Sequence, residues 1–175
     1  MSALLTTERL VLVPGSVALA RAEISDRAEF ARLLDADVPE AWPPETLADA
    51  LPFFLSLIEA SPHEAEWFGW YVMTHETPSA PRVLVASGGF KGAPIDGLAE
   101  IGYSVLPEFQ GRGYATELVR SLARWALAQP GVTRVLAETE WANPASVRVL
   151  ERAGFVRAGD GDLPGSARYL LHHGG

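Results

Sequence analysis

From Glu100 to Ala115 the chain reads Glu-Ile-Gly-Tyr-Ser-Val-Leu-Pro-Glu-Phe-Gln-Gly-Arg-Gly-Tyr-Ala, a strand pattern that runs through two glycines into a helix. Small residues at Gly111 and Gly113 let the backbone turn tightly, so that successive N–H groups converge on one spot. With the positive end of the helix dipole they make an anion site suited to a phosphate or pyrophosphate. The same glycines also serve a plain strand-to-helix turn, so spacing alone leaves both readings open. The P-loop signature fails, because Gly113 is followed by Tyr114 rather than Lys. The dinucleotide fingerprint comes nearer. Gly111, Gly113 and Thr116 almost match it, and Glu138 and Glu140 fall where a ribose-binding acid would sit. Against it, Thr116 replaces the third glycine, and too little chain follows for a doubly wound sheet.

The elements that must carry this loop follow from periodicity. Arg9 to Pro14 predicts a first strand, and Val17 to Leu34 a helical stretch with a cap or break at Ser25-Asp26. Asp37 to Glu45 is a Pro-rich loop, and Thr46 to Ile58 an amphipathic helix. The period then falls to two: Trp67 to Thr74, Arg82 to Phe90 and Leu98 to Leu106 predict three strands in an antiparallel meander. Gly111 to Ala128 reads as a helix, Val132 to Glu140 as a strand, and Pro144 to Ala153 as a helix with Gly154 at its end. Phe155 to Ala158 and Ala167 to Leu171 close the chain as strands. The expected class is α/β: one mixed, mostly antiparallel sheet of about seven strands flanked by about four helices, with residues 1–175 forming a single domain.

Composition narrows the function. With 48% hydrophobic and 21% charged residues the chain can build an ordinary core, which excludes a disordered or collagen-like segment. No cysteine is present, so there is neither a disulfide framework nor a cysteine nucleophile. A net charge of −8 argues against nucleic-acid binding and against docking on anionic lipid. No apolar run approaches the ~20 residues of a membrane span. Met1 to Thr7 lacks the pattern of a signal peptide, and the cytoplasm is the expected location. The four histidines have no metal-ligand spacing, so no metal is expected, and no Gly-x-Ser-x-Gly elbow marks a serine hydrolase.

Gln110-Gly-Arg-Gly-Tyr-Ala115 resembles the Gln/Arg-x-x-Gly-x-Gly/Ala loop of the GNAT acetyltransferase superfamily. The resemblance continues through Tyr114 to Leu118 and Ala137 to Glu140, and through Asn143-Pro-Ala-Ser-Val-Arg-Val-Leu-Glu-Arg-Ala-Gly-Phe155. With the opening Thr7-Glu-Arg-Leu-Val-Leu-Val13 it is similar to the branch that includes the ribosomal-protein alanine N-acetyltransferases. The resemblance implies that the sheet splays between its fourth and fifth strands, and that acetyl-CoA is the co-substrate. Main-chain N–H groups from Gln110, Gly111, Arg112, Gly113, Tyr114, Ala115 and Thr116 would cradle its pyrophosphate. Tyr103, Ser104 and Val105 would pair with the pantetheine arm as an added strand. Asn143 and Ser146 would contact its far side, although Asn143-Pro144 is also a good helix cap, with Ser146 at the third helical position. Arg148, Arg152 and Lys91 could offset the protein's negative charge around CoA.

The implied activity is acetyl transfer to a primary amine, on a protein N-terminus or a small molecule, by direct attack in a ternary complex. The alternatives are an acyl-CoA-binding module with little catalysis and, more weakly, a dinucleotide-binding domain. The amine must be neutral to attack, and Glu100, sharing a strand face with Leu98, Gly102 and Ser104, is the expected base. Glu138 and Glu140 are alternatives. Many family members place a tyrosine acid where this chain has Leu150. The acceptor site implied by the resemblance draws attention to Trp42, the Leu51–Ile58 helix, Trp67, Trp70 and Trp141. The expected partners are acetyl-CoA and an amine, and the expected state is a monomer or homodimer.

Overall fold

The computed structural model describes residues 3–75 and 77–174. The first two residues of the N-terminal stretch considered above, Met1 and Ser2, lie outside them. One eight-stranded sheet has the order β1-β2-β3-β4-β5-β6-β8-β7. Its strands are β1 (Leu5–Thr6), β2 (Leu10–Pro14), β3 (Trp70–Thr74), β4 (Leu84–Phe90), β5 (Leu98–Val105), β6 (Arg134–Glu140), β7 (Val156–Asp160) and β8 (Ser166–His172). Only β5 and β6 pair in parallel; every other neighbour is antiparallel. The mixed, mostly antiparallel class read from the sequence is borne out, with one more strand and several more short helices.

The helices are α1 (Val17–Ser25), α2 (Arg27–Leu34), α3 (Glu45–Ala48), α4 (Leu51–Ala60), α5 (Ala65–Phe68), α6 (Tyr114–Leu127) and α7 (Pro144–Arg152). Local chemistry sets their ends. Ser16 caps α1 by accepting from Leu19 N at 3.2 Å, and Asp26 caps α2 by accepting from Glu29 N at 3.0 Å. The single helix expected over Thr46 to Ile58 is two. Pro52 has no N–H and its ring collides with a carbonyl one turn back, so a new helix starts at Leu51 with proline in its first turn. The strand expected from Trp67 also starts later, since α5 runs through Phe68 and Gly69 breaks it before Trp70. Trp67 belongs instead to an aromatic cluster, with its ring 4.6 Å from Trp125 and 5.2 Å from Phe90, while Trp70 lies 5.3 Å from Trp125. Both rings build core, although Trp70 also borders the cavity described below.

Two layers cover the sheet. On one face α6 buries Leu118, Val119, Leu122, Ala123 and Ala126 completely, a stripe at helical spacing. They join Leu10, Leu12, Val72, Ala86 and Ile101 in the larger core cluster. The approach is close. A Cβ on Gly88 of β4 would lie 2.8 Å from Leu118 Cδ1, so glycine is what lets helix and strand meet. On the other face Leu19, Phe30 and Leu34 of α1 and α2 pack with Val11, Tyr71, Met73 and Trp42. Leu118→Ala should lower stability by about 2–5 kcal/mol. The check is a urea midpoint that falls with an unchanged slope.

Candidate active site

β5 and β6 lie side by side only as far as Ile101 and Ala137. Beyond that point β5 stays with β4 as far as Val105, and β6 stays with β8 as far as Glu140, so the sheet parts in its middle. Glu100 O accepts from Lys91 N at 2.9 Å and Leu106 N donates to Val85 O at 2.9 Å, so the even-numbered residues of β5 turn their main chain to β4. Alternation then aims the N–H and C=O groups of Tyr103 and Val105 into the gap. Gln110 covers one of them, donating from Nε2 to Val105 O at 3.1 Å. Ser104, expected to share this edge, does not. Its main chain faces β4, and its hydroxyl lies on the opposite face of the sheet, 3.2 Å from Thr46 Oγ1.

The loop that follows is a turn of 3-10 helix at Pro107–Phe109, then Gln110, then two left-handed glycines, Gly111 at φ 74° and Gly113 at φ 83°. Positive φ is what reserves these positions for glycine. A Cβ on Gly111 would meet nothing within 4 Å, so that side of the turn is open. No side chain caps α6, and the N–H groups from Gly111 to Thr116 donate to no main-chain acceptor outside the helix among the described residues. Six polar hydrogens are thus gathered at the positive end of a 14-residue helix. Arg112 donates from Nη2 to Glu108 O at 3.1 Å, and its guanidinium lies 5.4 Å over the Phe109 ring.

Across the gap α7 starts at Pro144, capped by Asn143, whose Oδ1 accepts from Ser146 N at 3.1 Å. Ser146 Oγ lies 2.7 Å from the Tyr103 hydroxyl, a bond that spans the parted strands. Burial raises the Tyr103 phenol above its ordinary range, and the Ser146 bond works against that. Tyr103, Asn143 and Ser146 are therefore brought together. Leu150 is sealed in the core at 1% exposure and offers nothing to this region.

On the opposite face a cavity of about 380 Å3 lies between the sheet and the helices α1, α3, α4 and α5. Tyr71, Ser87, Gly102 and Ser104 form its floor; Leu47, Leu51, Phe54 and Leu55 form an apolar wall. Glu100 is not part of it. Its carboxylate pairs with Lys91 Nζ at 2.5 Å in an adjoining depression, and Lys91 borders both spaces. Glu138 is committed elsewhere. It accepts from Ser166 Oγ at 2.7 Å and from Asp162 N and Leu163 N, bonds that, led by the one from Ser166, hold its carboxyl below the ordinary range. Trp42 is buried, whereas Trp141 is half exposed with Arg157 5.3 Å from its ring.

Sequence reasoning missed Arg9 and Glu117. Arg9 Nη1 donates to Arg112 O at 2.7 Å, inside the glycine turn, and its guanidinium lies 5.0 Å over Tyr114. Its Nε and Nη2 both reach Glu117 Oε2 at 2.8 Å, while Arg9 N and the Thr7 hydroxyl donate to Glu117 Oε1. Burial works to raise the Glu117 carboxyl, but the bonds from Thr7 and Arg9 together hold it below its ordinary value. The signal was the opening Thr7-Glu-Arg9; its partner, more than a hundred positions away, left no mark in spacing.

Compared with known proteins, residues 16–156 match the family model described as the acetyltransferase (GNAT) domain. The chain belongs to the GNAT acetyltransferase family, which sets the dinucleotide reading aside. The Bacillus subtilis protein YjdG, described as an uncharacterized N-acetyltransferase, is 27% identical over 154 residues, 87% of this chain and 89% of its own. Ribosomal-protein-S5-alanine acetyltransferase from Vibrio fischeri superposes with a TM-score of 0.63 at 17% identity, covering 99% of this chain and 98% of that one. The microcin C7 self-immunity acetyltransferase MccE, solved with acetyl-CoA and AMP, gives 0.62 at 16% identity over 95% and 94%. These two likenesses are of fold. Family and relatives make this protein an acetyl-CoA-dependent N-acetyltransferase. The residues present fit that co-substrate: an open glycine turn with unpaired N–H groups stands beside a strand edge with unpaired main chain. No metal-binding cluster occurs among the described residues, and no helix among them is long and apolar enough to cross a membrane.

Because Arg9 ties the turn to α6, Arg9→Gln should weaken acetyl-CoA binding by roughly tenfold, the scale of one charge-assisted hydrogen bond. Calorimetry should register that loss while kcat at saturating acetyl-CoA is kept. The Glu117 contribution to stability is full above its unfolded value, about 4.3, and is lost as pH falls through the lower folded value. Melting curves of the native protein and Glu117→Gln should therefore converge at acid pH and separate above it.

Proposed function

We propose that residues 1–175 act as one domain that transfers the acetyl group of acetyl-CoA to a primary amine, on a protein N-terminus or a small molecule, by direct attack in a ternary complex. The observation that carries this reading is the meeting of two spaces on β5: the gap edged by Tyr103 and Val105, and the cavity floored by Gly102 and Ser104. A thioester seated along the first would present its carbonyl to an amine in the second. The chain has no cysteine, so an acyl-cysteine intermediate has no residue to form on. The Vibrio fischeri neighbour is itself named for an alanine of a ribosomal protein. The proposed setting is the cytoplasm, as a monomer or homodimer.

Acetyl-CoA supplies an acyl group activated as a thioester. The acceptor nitrogen forms its bond to the carbonyl carbon, the carbon–sulfur bond breaks, nitrogen gives up a proton, and the thiolate takes one. N–H groups from Gly111 to Thr116 hold the pyrophosphate, the expected Gln110 N–H being already given to Pro107 O, and the Tyr103 and Val105 main chain holds the pantetheine and polarises the carbonyl oxygen. Asn143 and Ser146 flank it from α7. We assign the base to Glu100, acting through water past Lys91, which borders both its depression and the cavity. Tyr103 is assigned the acid. Its buried phenol keeps its proton at neutral pH, and its hydroxyl stands where β5 and α7 face each other.

Titration with acetyl-CoA by calorimetry, with NADH in parallel, should give micromolar binding of the first and none of the second. Absence of acetyl-CoA binding would reduce the glycine loop to a turn and end this reading, while binding without turnover of any amine would favour an acyl-CoA-binding module. Glu100→Gln and Tyr103→Phe should each lower kcat by about a hundredfold, the scale of general acid–base catalysis. Acetyl-CoA affinity should stay within a factor of two or so. A rate–pH profile unchanged by Glu100→Gln would remove Glu100 from the base role, and unchanged turnover in Tyr103→Phe would leave the thiolate to water.

A further inference from the structure

One end of the cavity holds a carboxylate for which the proposed reaction has no use. Glu23, near the end of α1, lines the cavity, and both of its oxygens are held: Oε1 accepts from Trp42 Nε1 at 3.0 Å and Oε2 accepts from the Tyr71 hydroxyl at 2.7 Å. Both donors are neutral, and a carboxylate oxygen can accept a second bond. No cation pairs with it among the described residues. Arg21, on the same helix, pairs with Glu59, and Arg27 donates to the carbonyls of Val38, Pro39 and Trp42. Burial raises the Glu23 carboxyl, restrained by the bonds from Tyr71 and Trp42. A charge taken out of water without a counter-ion is costly. Here it faces an open space walled by leucine and phenylalanine.

The cavity is also polar in direction. Glu23 stands at one end, bonded to Tyr71, and Lys91 stands at the other, beside Glu100. A cation entering this space is attracted to the Glu23 end, while the Lys91 end, neutralised by Glu100 at 2.5 Å, offers it no such pull. In the sheet register Tyr71 is opposite Ser87, and Ser87 is opposite Ser104. Two strand spacings, about 10 Å, thus separate the Glu23 partner from the edge where the acetyl group is transferred.

We infer that Glu23 selects the acceptor, by taking a second cationic group at the end of the amine opposite the nitrogen that is acetylated. The inference rests on the proposed amine acetylation and names its substrate class: a primary amine with an apolar spacer and a terminal ammonium. A charge in the middle of the spacer would lie against the wall of Leu47, Leu51, Phe54 and Leu55 and is disfavoured.

The test compares kcat/KM for hexamethylenediamine, for hexylamine, and for a triamine of the same length with a secondary amine at its centre. The native protein should prefer the diamine over both others by about tenfold. In Glu23→Gln, which keeps the shape and removes the charge, the diamine-to-hexylamine ratio should fall at least fivefold, chiefly through KM, and Glu23→Asp should restore part of it. A ratio does not depend on how much active protein each sample contains. A native ratio near one, or a ratio unchanged in Glu23→Gln, overturns the inference while hexylamine turnover leaves the proposed function standing. If no amine is turned over, the proposed function fails instead. The inference is then decided by calorimetry of the two amines on the native protein saturated with CoA, where equal affinities overturn it. That measurement also decides the matter if Glu23→Gln does not fold.

Discussion

A strand inside a sheet must place its N–H and C=O groups on a neighbour, and β5 loses its neighbour after Ile101. Buried main-chain groups without partners are rarely tolerated, so a sheet that parts in its middle needs something to lie in the opening. Much of the surrounding structure serves that opening. The fully buried stripe of α6 packs on β4 and β5, β8 continues alongside β6, and one core cluster with residues from β5, α6, β6, α7 and β8 ties the two halves together. Two side chains reach into the opening from its borders: Gln110 takes the Val105 carbonyl, and Tyr103 meets Ser146 on α7. The remaining groups form an edge of the kind an extended ligand can join as an extra strand.

The glycine turn depends on the same geometry at one remove. It begins where β5 ends, and α6 can point its uncapped end toward the opening only if the turn is held in register with both. Glycine at positive φ permits the turn but does not fix it. What fixes it is Arg9, which reaches from the start of β2 to the Arg112 carbonyl, the Tyr114 ring and Glu117 together. Thr7, Arg9 and the first turn of α6 are thus one unit. A side chain far from any reacting atom sets the position of the turn proposed to hold the anion.

What was legible in the sequence was whatever is local. The glycine turn, the cap at Asn143-Pro144 and the alternation of β5 are written within a few residues of where they act, and their local structure was legible there, although α6 starts at Tyr114 and not at Gly111 because the two glycines take left-handed backbone. The split at Pro52 was equally local and was overlooked. Trp67 was misassigned for a different reason. Its β-propensity was outweighed by packing against Trp125 and Phe90, which come from other parts of the chain. Ser104 needed the parity of hydrogen bonding to β4, which alternation of side chains does not supply. Glu100 was placed on the correct strand face, but its pairing with Lys91 and its position beside the cavity were not visible. Glu23 was invisible altogether: its two partners come from a loop and from β3, and a glutamate near the end of a helix reads as an ordinary exposed residue.

Charge distribution connects these pieces. A chain with a net charge of −8 repels an anionic co-substrate at long range, and the glycine turn proposed to hold its pyrophosphate offers local donors: six N–H groups without a main-chain acceptor among the described residues, a helix end, and Arg9 and Arg112 beside them. Local donors outweigh a diffuse net charge because salt screens the latter beyond about 8–10 Å, whereas contacts at hydrogen-bond distance are barely screened. The cavity proposed for the acceptor carries the opposite arrangement: among its described lining residues, Glu23 on α1 is a carboxylate without an ionic partner. Lys91 and Glu100 stand between the two regions as a neutral pair. An anion is therefore favoured on one side of β5 and a cation on the other, and the two can meet only where the strand has lost its neighbour.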